Sequence, residues 1–302
     1  MICCELICNF VNIILTKRKT IYCKQLMNKI YNDVTKEITI HFVSDSTGET
    51  IDNAVSATVS QFPGLKKKEF FWPMVRSEKQ IEEVLENARR NPGLIVFSII
   101  DDNNREILEK GCLDQKIPCI SPLDELFNIF NNNLSLSAKK IAGGQHRLDD
   151  NYFKRVDAFD YAMQHDDGQK ISSMKDADII LVGVSRTSKT PTSIYLANKG
   201  IKVANIPLVA NTPLPDELFT FKKPIIIGLI KDPRTLMHVR QTRLKQIGEE
   251  HITEYANINS IKLEIIQARK IFTKYAWPSI DVSRRSVEET SASIIKMFNS
   301  NG

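Results

Sequence analysis

What the chain lacks narrows its function first. No CxxC pair occurs, which removes zinc-ribbon and dithiol redox spacing. Excess charge is missing from the body: residues 1–36 hold six Lys/Arg against Glu5 and Asp33, carry +4 of the net +5, and leave the rest at +1. So small an excess argues against sequence-independent nucleic-acid binding, which needs many Lys/Arg on one face. The protein-kinase signatures GxGxxGxV, HRDLxxxN and DFG are absent, and "HRLDD" at 146–150 only imitates the second. No repeat or low-complexity tract is evident. The opening apolar patch is too short to span a bilayer, and Lys17, Arg18 and Lys19 follow it, the reverse of a signal peptide's charge order. A cytoplasmic location without membrane attachment is the expectation.

What is present suits a globular protein. The 302 residues, 42% hydrophobic and 25% charged, suffice for two cores of ordinary domain size. Four of six cysteines fall in the leader; Cys112 and Cys119 read as thiols buried as small hydrophobes in a reducing compartment. Regular patterning starts near Glu37, shortly after Met27, so residues 1–36 read as a leader, with Met27 as the expected natural start. Residues 37–145 form an N-terminal α/β domain in this reading and 146–302 a C-terminal one, joined near 131–150. Strands are expected at "ITIHFV" (38–43), "LIVFSII", "ADIILVGV", "IKVANIPLV" and "KKPIIIGLI", the fully apolar ones suited to a parallel sheet covered on both faces. The fold class is α/β, two domains with mainly parallel sheets.

The informative stretch is "IILVGVSRTSKTPTSIYLANKG", 179–200. Strand, loop and helix follow in the order of a phosphate-binding loop, whose inward N–H groups and helix N-terminus hold an anion. Gly183, Val184, Ser185, Arg186, Thr187, Ser188, Lys189 and Thr190 are the candidate binding residues. Ser188 stands where the usual pattern has its second glycine: either it is forced to positive φ at a cost of about 1 kcal/mol that phosphate contacts offset, or the loop closes differently and uses the Ser188 hydroxyl as an extra donor. Lys189 and Arg186 would neutralise phosphates, and Thr190 would bind a metal.

A second constellation is "HDDG", His165 to Gly168. Phe153, Val156, Phe159 and Met163 give the preceding helix an apolar face, and Gly168 offers a left-handed stop. Two carboxylates at a helix C-terminus oppose its dipole by about 0.3–1 kcal/mol each. Asp166 and Asp167 could hold Mg2+ or take a proton from an attacking hydroxyl, with His165 beside them; a solvated turn with a packed His165 is the alternative. "SDSTGE" reads as a capping box from Ser46 to Glu49 or as a phosphate contact. Asp101, Asp102 and Asp232 follow apolar strands as metal carboxylates do, though Asp232 before Pro233 equally caps a helix. Arg234, Arg240, Arg243 and Lys245 read as a solvated face or as a receiver for a phosphorylated partner.

Taken with "YFKRVDAFDYAMQHDDG", "GLIKDPRTL" and "VSDSTGET", the loop segment resembles the pyruvate, phosphate dikinase regulatory proteins, whose close relatives act on phosphoenolpyruvate synthase. The resemblance covers about residues 38–300. It implies a bifunctional enzyme: an ADP-dependent kinase for a Ser/Thr beside the dikinase's catalytic His, and a phosphate-dependent reversal that releases pyrophosphate. ADP would lie on Gly183 to Thr190, with Mg2+ on Thr190 and Asp166, inorganic phosphate as co-substrate of the reversal, and Asp166, Asp167, Lys189 and His165 as catalytic candidates. The dikinase would be the partner, and the resemblance suggests a homodimer. Phosphoenolpyruvate synthase as target, an ATP-dependent small-molecule kinase and a non-catalytic nucleotide sensor remain the alternatives.

Overall fold

A computed structural model of the chain describes Met27 and residues 37–134, 138–144, 150–209, 212–248 and 254–301. The leader therefore lies outside the described residues except for Met27, as do 146–149 of "HRLDD". The chain divides into two compact units between residues 147 and 148.

The N-terminal unit runs β1 (Glu37–Ser44), α1 (Glu49–Val59), β2 (Lys66–Trp72), α2 (Glu78–Arg90), β3 (Leu94–Ser98), α3 (Asp102–Asp114), β4 (Cys119–Ile120) and α4 (Asp124–Asn133). Its strands are all parallel in the order β2-β1-β3-β4. The capping box does not form: α1 starts after Gly48, at φ 83°, with no side-chain cap. Ser46 instead donates its backbone N–H to Ser44 Oγ. Strand β2, "KKKEFFW", is absent from the sequence reading because three lysines hide its alternation. Cys112 is buried in the core and Cys119 packs against it.

The C-terminal unit runs α5 (Asp150–Gln164), β5 (Ile179–Val184), α6 (Lys189–Ala197), β6 (Val203–Leu208), β7 (Ile225–Ile230), α7 (Pro233–Gln246), α8 (Ile258–Lys274), β8 (Ser279–Asp281) and α9 (Val287–Asn301). Its sheet is again all parallel, in the order β6-β5-β7-β8. The two units thus repeat one strand order, a correspondence that the sequence does not display as a repeat. Two α/β domains with parallel sheets are what the apolar strands led us to expect.

Every residue of β5 is buried, and the period of two divides them between two cores. Ile180, Val182 and Val184 join the helices α7 and α8, while Ile179 and Leu181 face α6 and α9. A central strand so covered fixes where its carboxyl end lies. In each sheet the first strand is flanked by the second on one side and the third on the other, and open α/β sheets bind ligands outside the strand ends where the order reverses. The loop after β5 occupies that place in the C-terminal unit.

Helix α5 departs from expectation. Its buried face is Ala158 and Ala162 against Ala197, whereas Phe153, Val156 and Met163 are exposed. Small residues allow α5 and α6 to approach closely. The turn that follows α5 meets the start of α6, where Thr190 bonds Asp166.

Candidate functional site

The loop after β5 is glycine-poor yet adopts the backbone that such loops need. Arg186 and Ser188 both have positive φ, 72° and 63°. Two left-handed residues cost on the order of 1 kcal/mol each. Thr187 between them is fully buried and donates Oγ1 to the Val184 carbonyl at 2.9 Å, which anchors the turn. Gly183 lies inside β5, where a Cβ would meet the Leu229 carbonyl oxygen at 2.6 Å and Thr187 Oγ1 at 2.8 Å. Ser188 is the N-cap of α6, and its side chain makes no capping bond. The first-turn N–H groups thus get no partner from that hydroxyl, and the positive end of the helix dipole points the same way.

Lys189 opens α6 with its side chain turned back over the loop. Nζ donates to the Val184 carbonyl at 3.2 Å, and the residue is only 5% exposed. Burial pushes its pKa down to about 8; Asp167 and Asp166 oppose this, and Arg240 and Arg186 add to it.

The structure brings "HDDG" to this same loop. Helix α5 ends at Gln164, and Asp166–Gly168 forms a 3-10 turn in which Asp167 is left-handed, at φ 49°. Thr190 Oγ1 donates to Asp166 Oδ1 at 2.9 Å. Asp166 therefore faces the N-terminus of α6, where a carboxylate is favoured, and not the unfavourable end of α5. Asn205, fully buried in the middle of β6, holds the pair: its Nδ2 donates to Asp166 Oδ1 and its Oδ1 accepts the Asp167 N–H at 3.0 Å. Asn205 was not a sequence candidate, although an asparagine inside the apolar strand "VANIPL" was the available signal.

His165 has another part. Its ring stacks on Tyr161 with centroids 3.9 Å apart, Nδ1 lies 2.8 Å from the Tyr161 carbonyl, and Nε2 lies 2.7 Å from Ser173 Oγ. With both ring nitrogens hydrogen-bonded and the residue buried, His165 anchors the turn that carries Asp166 and Asp167.

Arg240 likewise departs from the solvated-face reading. It is 1% exposed and pairs both guanidinium arms with Glu264, at 3.0 and 2.7 Å. The same arms reach the carbonyls of Tyr255, at 2.8 Å, and Ser185, at 3.3 Å. Tyr255 stacks over the guanidinium at 4.5 Å, and its hydroxyl meets Ser185 Oγ at 3.2 Å and accepts from Arg186 Nε at 3.3 Å. Arg240 is thus a buried post under the loop, while Arg234, Arg243 and Lys245 are exposed. Its place on the stripe Leu236, Arg240, Leu244 was the missed signal, since both leucines are buried.

The remaining carboxylates are explained by capping or pairing. Asp101 accepts the Asn104 N–H as the N-cap of α3, Asp102 pairs with Lys140, and Asp232 accepts the N–H groups of Arg234 and Thr235 at 3.0 Å. Among the described residues, no group of three or more His, Cys, Asp or Glu could hold a metal alone. Thr190 Oγ1 with Asp166 Oδ1 is still a fitting donor pair for Mg2+, which usually takes one or two protein oxygens and completes its shell with substrate phosphates and water. No helix among the described residues is long and apolar enough to cross a membrane.

Comparison with known proteins agrees in extent with the resemblance in the motifs. The chain is 44% identical over 263 residues to the "Putative pyruvate, phosphate dikinase regulatory protein" of Paramagnetospirillum magneticum, covering 87% of this chain and 85% of that one. Proteins of the same name from Novosphingobium aromaticivorans and Caulobacter vibrioides are 42% and 43% identical, covering 86% of this chain and 93% and 82% of theirs. Among solved structures, a periplasmic sugar-binding protein from Legionella pneumophila aligns at 13% identity over 87% of this chain and 85% of its own, with a TM-score of 0.22, too low to bear on fold or function. The family model described as kinase/pyrophosphorylase matches residues 40–295, and the chain belongs to that family.

Proposed function

We propose that the chain is a bifunctional regulator of pyruvate, phosphate dikinase, acting as an ADP-dependent Ser/Thr kinase and as a phosphate-dependent phosphorylase. The observation that carries this reading is the meeting of Asp166 and Asp167 with Lys189 and Thr190 at one loop, an anion cradle beside a pair of carboxylates. The relatives' names supply the target.

Phosphoryl transfer depends chiefly on positioning and on stabilising charge over the transferred group. With ADP as donor, the β-phosphoryl moves to the target hydroxyl, the bond to the α-phosphate breaks, and AMP leaves. The amides of 185–190 and Lys189 would hold the diphosphate. Asp167, on the exposed side of the 3-10 turn, would take the hydroxyl proton. Thr190 and Asp166 would hold Mg2+, which supplies charge neutralisation between the phosphates when bound. In the reversal, inorganic phosphate attacks the phosphorylated side chain, pyrophosphate leaves, and the hydroxyl recovers its proton. One cradle serves both directions because each leaves or delivers a phosphate on the same side of the transferred group.

The test is incubation of the chain with the phospho-histidine form of the dikinase and either ADP or ATP. Expected are phosphorylation of a dikinase Ser/Thr from ADP, release of AMP, and pyrophosphate formation when that Ser/Thr-phosphorylated product is given phosphate in place of ADP. Incorporation only from ATP, or into a small metabolite, would refute the reading.

A further inference from the structure

A cleft of about 480 Å³ opens next to the loop, between the ends of β5 and β6 and one face of α8. Its volume falls within the roughly 300–1,000 Å³ usual for small-molecule sites. Val184 lines it, and Val184 is also the residue whose carbonyl receives Lys189 and Thr187. The cleft and the loop therefore share a wall. Leu208 and Ile271 form an apolar floor that packs on the core, Val209 stands 57% exposed on one side, and Thr212 and Gln267 bring polar groups from opposite walls. Glu264, also at its edge, is held by the buried Arg240.

We propose that this cleft takes the nucleoside half of the nucleotide whose phosphates lie on the loop, with the Gln267 amide reading the edge of a purine base. The inference rests on the proposed function and adds to it the residues that select the nucleoside. A ligand anchored by its phosphates on 185–190 must place its remaining half against a neighbouring surface, and this cleft begins at Val184, the last residue of β5 before the loop. Its composition matches a base: Val184, Leu208, Ala268 and Ile271 offer apolar surface to the ring faces, and the Gln267 carboxamide, which carries both donor and acceptor, pairs with a purine edge. The acceptor protein, which presents a hydroxyl at the carboxylates, is left the opposite approach, over Asp166 and Asp167.

Calorimetric titration of the full chain with ADP, GDP and pyrophosphate tests this. Gln267→Trp and Thr212→Trp fill the cleft from opposite walls at exposed positions. Each is expected to weaken ADP by about tenfold or more, the scale of losing one good base contact, while leaving pyrophosphate unchanged. Gln267→Ala is expected to bring the affinities for ADP and GDP together. Equal loss of ADP and pyrophosphate in the tryptophan variants, or no loss of either, would overturn the cleft assignment. Lys189→Ala separates the two layers: it should weaken ADP and pyrophosphate alike. If it weakens both while the tryptophan variants bind ADP normally, the loop stands and the cleft fails; if it weakens neither, both fail.

Discussion

Lys189 is the residue on which the site's electrostatics turn. It is nearly out of water, with a pKa of about 8 where an ordinary lysine titrates at 10.5. The unfolded chain therefore binds more protons than the folded one between these values, so the C-terminal unit gains stability as pH rises through that window. Below pH 8 the full cost of the buried charge is present, about 3 kcal/mol as an upper figure. Lys189→Met should raise the unfolding free energy of this unit at neutral pH, flatten its rise between pH 8 and 10.5, and abolish transfer; denaturant melts and the phosphorylation assay check both. A bound diphosphate reverses the balance by favouring the ammonium. ADP binding at pH 8 should then take up to about half a proton, measurable by calorimetry in buffers of different ionisation enthalpy. ADP affinity should hold below pH 8 and fall as pH rises above it. At the carboxylates, Asp166→Asn and Asp167→Asn should reduce turnover more than ADP affinity, because in the proposed reaction these groups serve the acceptor hydroxyl and the metal.

The elements around the loop explain why it tolerates two strained residues without extra glycines. Arg240 from α7 and Tyr255 from the 3-10 turn Glu254–Ala256 brace Ser185 and Arg186 from below, Glu264 from α8 holds Arg240, and Asn205 from β6 fixes the Asp pair. Arg240→Met leaves Glu264 half-buried without its cation, which should destabilise the C-terminal unit by about 3–5 kcal/mol in a denaturant melt. Tyr255→Phe removes only a hydroxyl; with hydrogen bonds worth about 0.5–1.5 kcal/mol each, it should raise the KM for ADP while sparing the fold. The strand, loop and helix of 179–197 were legible in the sequence because apolar runs and the Lys-Thr start of the helix are local signals. The braces were not. Arg240 and Tyr255 reach the loop across 55 and 70 positions respectively, as seen from Ser185, and no period along the chain links them. The capping box from Ser46 failed for a local reason, since Gly48 takes the N-cap position first.

At the scale of the molecule, two units share a strand order but carry different charges at the corresponding place. In each, a left-handed N-cap precedes a charged residue and a threonine: Gly48, Glu49 and Thr50 in one, Ser188, Lys189 and Thr190 in the other. The glutamate at that place repels an anion where the lysine attracts one, so ADP should bind once per chain. Lys189→Ala should remove that site, and Glu49→Ala should leave the stoichiometry at one. The account is tested most directly by the crystal structure of the ADP complex. The diphosphate should lie on the backbone amides of residues 185–190 with Lys189 Nζ against it. Nucleotide bound in the N-terminal unit, with the β5–α6 loop empty, would contradict it.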